Sequence, residues 1–185
     1  PPTMSYRFVW APVIATSIIG LAGAVIPVTA HSKIYISVAQ AQQLMFGATA
    51  LIHDPVVLND QTRSKMREAS SVSHPFDSSR IWRTASGEWF VVDEVVGKHE
   101  MITYAVGINA DGTLKQIEIL EYRESYGYEV ADPKWRDQFK GKSAESTIKL
   151  NKDIQNISGA TLSSKHLTDG VKRVLVMYEL SLKNH

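Results

Sequence analysis

Residues 157–164, ISGATLSS, decide how the end of this chain folds, because they place hydroxyls and a glycine directly before a long amphipathic pattern. From Leu167 onward, apolar residues recur every three or four positions, and polar residues occupy the remaining face. The apolar series is Leu167, Val171, Val174, Leu175, Tyr178 and Leu182, and the polar series is Lys165, Asp169, Lys172, Arg173 and Lys183. The pattern predicts a C-terminal helix with one buried face and one solvated face.

The start of this predicted helix suits a phosphate group. The first turn of a helix leaves backbone N–H donors unpaired and carries the positive end of the helix dipole, so an anion is stabilised there. Gly159 permits a close approach of the backbone, and Thr161 holds a hydroxyl beside the anion. Ser158, Ser163 and Ser164 are candidate caps for the exposed donors. The same residues are also typical of an ordinary N-cap without a ligand, so local chemistry leaves both interpretations open.

The middle of the chain predicts an antiparallel sheet. Residues 89–96 are rich in β-forming side chains, residues 101–109 tend to alternate, and residues 114–120 supply a third strand. Asp111-Gly112 between the last two is the strongest hairpin signal in the chain. Strands followed by a closing helix indicate an α+β fold.

Two short helices are predicted before the strands. Residues 37–47 place apolar side chains on one face, and a second helix begins at Asn59 or Asp60 and continues to about Ser70. Residues 70–79 contain several serines and Pro75, which favours a surface loop.

Composition excludes several classes of function. The 185 residues, 44% of them hydrophobic, suffice for one globular domain with a short appended element. A net charge of +1 gives no basic field for nucleic acid, so we expect no nucleic-acid partner. The absence of cysteine excludes disulfides, thiolate metal sites and cysteine nucleophiles, so redox chemistry requires a borrowed cofactor.

Other catalytic signatures are missing from the sequence. The six histidines are scattered singly without metal-ligand spacing, so no metal is expected. His166 follows Thr161 closely enough to approach its phosphate region, although a surface position is the ordinary alternative. There is no Gly-x-Ser-x-Gly elbow and no Gly-x-Gly-x-x-Gly motif, so neither a hydrolase nor a nicotinamide-binding domain is predicted.

The N-terminal segment is typical of a membrane anchor. Residues 8–30 carry no charged side chain, and this uncharged run is long enough to span a bilayer as a helix. The alternative is a signal peptide cleaved after Val28-Thr29-Ala30. We expect an uncleaved anchor, with Arg7 on the cytoplasmic side and with Gly20 and Gly23 permitting close packing of another helix.

Two motifs together resemble a known family. Residues 158–161, SGAT, resemble the flavinylation motif Asp-x-x-Ser/Thr-Gly-Ala-Thr/Ser of the FMN-binding domain family. The second motif lies upstream and has two parts: residues 124–129, ESYGYE, followed by residues 135–142, WRDQFKGK, resemble consecutive parts of that family's sequence in the same order. The family includes the FMN-carrying subunits of the Na+-translocating NADH:quinone reductase and of Rnf complexes. In it a flavin transferase esterifies the last motif residue, here Thr161, to the FMN phosphate.

The resemblance implies a membrane-anchored electron-transfer subunit that carries FMN and transforms no substrate of its own. We expect an anchor at residues 1–30, a lead-in of helices and loops at 31–80 and an FMN-binding domain at 81–185. The implied partners are other subunits of a membrane redox complex and a flavin transferase. The implied location is the bacterial inner membrane, with a single span and the domain on the periplasmic side. The residues expected at FMN are Thr161, Ser158, Gly159, Ala160, Leu162, Ser163, Glu124, Ser125 and Gly127.

Departures from the family pattern leave alternatives open. Gln155 stands at the position of the motif's Asp, with Asp153 two residues earlier, so a non-flavinylated binding or assembly subunit is the alternative function. Tyr126 and Tyr128 replace the family's Pro and Leu, and they either stack on the flavin or form a packed lid. Glu124 either influences the flavin ring or its loop, or is an ordinary strand-end carboxylate. Trp135 and Phe139, four positions apart, form either a wall of the pocket or a packed face.

Overall fold

A computed structural model describes residues 33–185, which form one antiparallel sheet of six strands with helices on both faces. The strand order is β1-β6-β5-β4-β3-β2. The strands are β1 Lys33–Ile34, β2 Ile52–His53, β3 Ile81–Arg83, β4 Trp89–Val96, β5 Met101–Ile108 and β6 Leu114–Tyr122. The predicted α+β class and the three long strands are confirmed. β1 and β2 are two residues each, too short to show a periodic pattern.

The described residues contain four α-helices, which are α1 Val38–Phe46, α2 Asp60–Ser70, α3 Pro133–Arg136 and α4 Thr161–Met177. α1, α2 and α4 lie close to the three predicted helices, whereas α3 is a single turn of four residues that no pattern in the sequence predicted. The Ser37 hydroxyl accepts a hydrogen bond from the Gln40 N–H and caps α1, and the Asn59 side chain caps α2 through the Thr62 N–H. α4 continues into a π-helical turn, Tyr178–Leu182. The loop predicted before β3 is present at residues 71–80.

The sheet is buried on both faces. Along β4, Val91 and Val95 face the larger core beneath α4, whereas Phe90 and Val92 face a smaller core beneath α1. The predicted apolar face of α4 is confirmed, because all six of its residues are buried. Residues 33–80 thus supply α1, α2 and the two edge strands of the sheet, and residues 81–122 supply its four inner strands.

Arg173 corrects the prediction of a wholly solvated polar face on α4. Its side chain is 3% exposed, and its Nε and Nη2 donate to the two Asp93 carboxylate oxygens at 2.9 and 2.7 Å. The Tyr104 hydroxyl donates to the same carboxylate at 2.5 Å. Burial, followed by the negative charge of Asp93, raises the pKa of Tyr104 well above its ordinary value. The helix pattern cannot show this, because the partner carboxylate lies on a strand 80 positions away.

The predicted membrane anchor, residues 8–30, lies outside the described residues. Within residues 33–185 none of the helices combines the length and the apolar character needed to cross a membrane.

Candidate functional site

A cavity of about 460 Å³ lies where three segments meet: the β4–β5 turn, the loop after β6 and the start of α4. Its volume falls in the range of about 300–1,000 Å³ that is usual for small-molecule sites. Its lining residues are Lys98, His99, Glu124, Ser125, Tyr126, Gly159, Ala160, Thr161, Leu162 and Ser163. The structure therefore brings together most of the residues predicted from the two motifs. The remaining two, Ser158 and Gly127, do not line the cavity.

Gly127 seats the loop after β6 against the beginning of α4. Its φ is +86°, a left-handed conformation, and a Cβ placed there would overlap the Ala160 methyl and lie 2.7 Å from the Tyr122 hydroxyl. Only a glycine combines this backbone conformation with this close approach. Gly127 thus allows the loop and α4 to pack closely, although it does not line the cavity itself.

Tyr122 links the same two segments, the loop after β6 and the start of α4, through its hydroxyl group. Its side chain is buried, and its hydroxyl donates to the Tyr126 carbonyl and lies 3.2 Å from Ser163 Oγ. Burial raises the pKa of Tyr122 above its ordinary value. Sequence reasoning missed this residue because a tyrosine at the end of a strand has no distinguishing signal.

The start of α4 lacks the serine cap that we expected. Ala160 occupies the N-cap position, and within residues 33–185 no side chain caps the helix. The Ser164 hydroxyl instead lies 3.0 Å from the Ala160 carbonyl oxygen, and Ser163 contacts Tyr122. The Ser164 N–H makes the first intrahelical bond to Ala160, so the preceding first-turn N–H groups lack helical partners. An uncapped helix start at a cavity is favourable for an anion.

Glu124 binds the backbone of the β4–β5 turn. Its carboxylate accepts hydrogen bonds from the N–H of His99 at 2.5 Å and of Glu100 at 3.0 Å. Burial opposes ionisation of Glu124, but these backbone donors outweigh burial and lower its pKa. The contact places Lys98 and His99 at the cavity, although no pattern in the sequence indicated them. The backbone that Glu124 fixes is that of the β4–β5 turn and not that of its own loop, and its influence on the flavin ring stays a prediction.

His166 contacts the other side of this turn. Its Nδ1 lies 2.7 Å from the Val96 carbonyl oxygen and 3.0 Å from the Gly97 carbonyl oxygen, so Nδ1–H donates to the turn. The imidazole is half-buried and does not line the cavity. Its contacts tie α4 to the turn and do not reach the phosphate region.

Asp153 does not replace the carboxylate that Gln155 lacks. Its side chain accepts from the N–H groups of Ile148 at 2.9 Å and Lys149 at 2.8 Å, and from Lys142 Nζ at 3.1 Å. Burial raises the pKa of Asp153, but these donors outweigh burial and lower it overall. Asp153 therefore stabilises its own turn.

Gln155 is held through its backbone. Its N–H donates to Gln138 Oε1 and its carbonyl accepts from Trp135 Nε1, each at 2.7 Å. The extended stretch before α4 is thereby tied to the Trp135–Phe139 segment. The rings of Trp135 and Phe139 pack edge to face, 5.2 Å between centroids, and form a packed face away from the cavity lining.

The two tyrosines of the loop have different positions. Tyr126 is 78% exposed and lines the cavity, whereas Tyr128 is 48% exposed in a short 3₁₀ turn outside the lining. Tyr126 therefore has access to a planar ligand in the cavity, and the packed-lid interpretation does not fit its exposure.

The cavity combines a hydroxyl, an uncapped helix start, a lysine and an exposed aromatic ring. These groups suit a ligand with a phosphate at one end and a planar ring at the other. Within residues 33–185, no three His, Cys, Asp or Glu side chains are grouped so as to hold a metal ion.

Comparison with known families agrees with this chemistry. Residues 97–176 match the family described as the FMN-binding domain. The matched range begins in the β4–β5 turn, ends inside α4 and includes every residue that lines the cavity. The chain therefore contains an FMN-binding domain, and FMN is the cofactor of that domain.

A curated relative extends the comparison. Over 82 residues the chain is 37% identical to one of the subunits of the Na+-translocating ferredoxin:NAD+ oxidoreductase complex of Acetobacterium woodii. The alignment covers 40% of this chain and 40% of that protein, so the chain spans less than half of the length of this relative. The FMN-binding domain thus resembles that of Rnf subunits, as the motifs predicted.

Proposed function

We propose that this chain is an electron-transfer flavoprotein subunit of a membrane redox complex, with FMN joined through its phosphate to Thr161. The observation that carries the proposal is the cavity itself. It places the Thr161 hydroxyl beside an uncapped helix start and opposite the loop of the second family motif. FMN exchanges one or two electrons, so a carrier needs to hold the cofactor and tune its surroundings.

In this proposal each residue of the cavity has a separate role in holding FMN. Thr161 would supply the ester oxygen, the first-turn N–H groups of α4 would stabilise the charge of the phosphate, and Lys98 would add a cation. Glu124 holds the turn that carries Lys98 and His99. Tyr126 offers an exposed ring for stacking.

The membrane setting is part of the proposal. The uncharged run at residues 8–30 would anchor the chain in the bacterial inner membrane with the FMN domain on the periplasmic side. A flavin transferase would attach FMN, and other subunits of the complex would supply and accept the electrons. Support comes from the relative, whose name describes it as a subunit of an oxidoreductase complex.

Intact-mass spectrometry of the denatured chain, purified in detergent from cells with an active flavin transferase, tests the ester. The unsubstituted chain should gain the mass of FMN less one water. Thr161→Ala should lose this addition, and Thr161→Ser should keep it. The matched control is Thr147→Ala, the same substitution at an exposed position outside the cavity. Covalent flavin that persists in Thr161→Ala would refute the attachment site.

Gln155 favours a second candidate, a subunit that organises a membrane complex without covalent flavin. The family motif has Asp where this chain has Gln155, and Asp153 is occupied within its own turn. Unmodified, colourless chain that still co-purifies with partner subunits from transferase-competent cells would support this candidate. Gln155→Asp should then restore the mass addition.

A further inference from the structure

We propose that Asn156 is a positioning residue that orients the Thr161 hydroxyl for attachment of the flavin phosphate. The inference rests on the proposed ester at Thr161. Asn156 Nδ2 donates a hydrogen bond to Thr161 Oγ1 at 3.1 Å. Asn156 precedes the Ser-Gly-Ala-Thr motif by two positions, and nothing in the motif itself specifies an amide there.

The amide is itself held in place. Ser164 Oγ lies 3.0 Å from Asn156 Oδ1, and Ser164 is fully buried one helical turn into α4. Asn156 thus bridges a fixed hydroxyl in the helix and an exposed hydroxyl at the cavity. The bridge selects one rotamer of Thr161 from the staggered positions that an exposed hydroxyl otherwise samples.

This orientation matches what the attachment reaction requires. Formation of a phosphoester from a hydroxyl needs a flavin donor with a phosphoanhydride bond, of the chemical class of flavin adenine dinucleotide. Thr161 Oγ1 attacks the flavin-side phosphorus, a new P–O bond forms, and the anhydride P–O bond breaks to release the nucleoside monophosphate. The hydroxyl proton leaves to a base or to solvent.

The bond from Asn156 fits each stage of this reaction. Because the amide donates to Oγ1, the proton of Thr161 points away from Asn156 and is free to leave. A second lone pair on Oγ1 remains for the attack. After attachment the same N–H group faces the ester oxygen. Holding a nucleophile in the reactive geometry lowers the barrier of its reaction.

The test follows attachment over time with the full chain in detergent, purified flavin transferase and flavin adenine dinucleotide, read by intact mass. Asn156→Ala should lower kcat for attachment by about threefold to tenfold, the range of one lost hydrogen bond. The KM for the dinucleotide should stay unchanged, because the transferase binds it. Asn184→Ala, an exposed asparagine near the C-terminus, is the matched control and should react like the unsubstituted chain.

A second background separates positioning from a purely structural role. Serine lacks the γ-methyl that restricts χ1 of threonine, so Thr161→Ser depends more on Asn156 for its orientation. The loss caused by Asn156→Ala should therefore be larger in Thr161→Ser than in the unsubstituted chain. Equal losses in both backgrounds, or an unchanged kcat in Asn156→Ala, would overturn the inference while leaving the ester intact. Absence of labelling in the unsubstituted chain would refute the ester, and this role with it.

Discussion

Gly127→Ala should destabilise the fold and move the loop after β6 away from the start of α4. The substitution has two costs. An alanine at a φ of +86° adopts the left-handed conformation, which costs about 1–2 kcal/mol. Its methyl also overlaps Ala160 and lies 2.7 Å from the Tyr122 hydroxyl, and such overpacking costs about 1–3 kcal/mol. The free energy of unfolding should therefore fall by about 2–5 kcal/mol.

Gly141→Ala is the matched control for this prediction. Gly141 has a φ of +79°, but a Cβ placed there meets nothing within 4 Å. Its substitution carries only the conformational cost of about 1–2 kcal/mol. The entropy that alanine removes from the unfolded chain is the same in both variants, so it cancels in the comparison.

Urea unfolding followed by circular dichroism measures the stability of both variants, and fluorescence titration measures binding of free FMN. Gly127→Ala should be less stable than Gly141→Ala and should bind FMN more weakly, because the loop at residues 124–126 moves away from α4. Gly141→Ala should bind FMN normally. If the two variants were equally stable and bound FMN equally, the contact between Gly127 and Ala160 would not hold the cavity together.

Three further substitutions test the contacts around the sheet and the cavity. Asp93→Asn leaves the buried charge of Arg173 without its counter-ion and should cost about 3–5 kcal/mol in urea unfolding; a cost below about 1 kcal/mol would contradict the burial of this pair. Tyr122→Phe leaves the Tyr126 carbonyl without its donor and should cost about 1–3 kcal/mol, with weaker FMN binding; unchanged affinity would show that the hydroxyl does not position the loop. Because the pKa of Glu124 is lowered below its ordinary value of 4.5, its contribution is complete above that pH and is lost as pH falls through the folded-state pKa. Glu124→Gln should therefore be less stable than the unsubstituted chain at neutral pH, and the difference should shrink on acidification; a constant difference would argue against the ionised contact.

The helices α1, α2 and α4 and the long strands were predictable because their signals are local. The apolar spacing of α4 determines which face it buries, and the side chains of Ser37 and Asn59 mark where α1 and α2 begin. The two family motifs likewise predicted most of the cavity lining and the FMN cofactor, since each motif is contiguous in the chain.

The remainder of the site depended on contacts between distant residues. The partner of Arg173 lies on β4, so no pattern within α4 could reveal that its charge is buried. Glu124 binds the backbone N–H groups of His99 and Glu100, 25 and 24 positions away in the chain, and so holds the turn that carries Lys98 and His99 at the cavity. Periodicity and local capping signals in the amino-acid sequence were enough to predict α1, α2, α4 and the three long strands, and the resemblance to a known family predicted the binding motifs. The packing of those elements determined which polar groups contact each other, because burial and pairing arise only when distant segments come together.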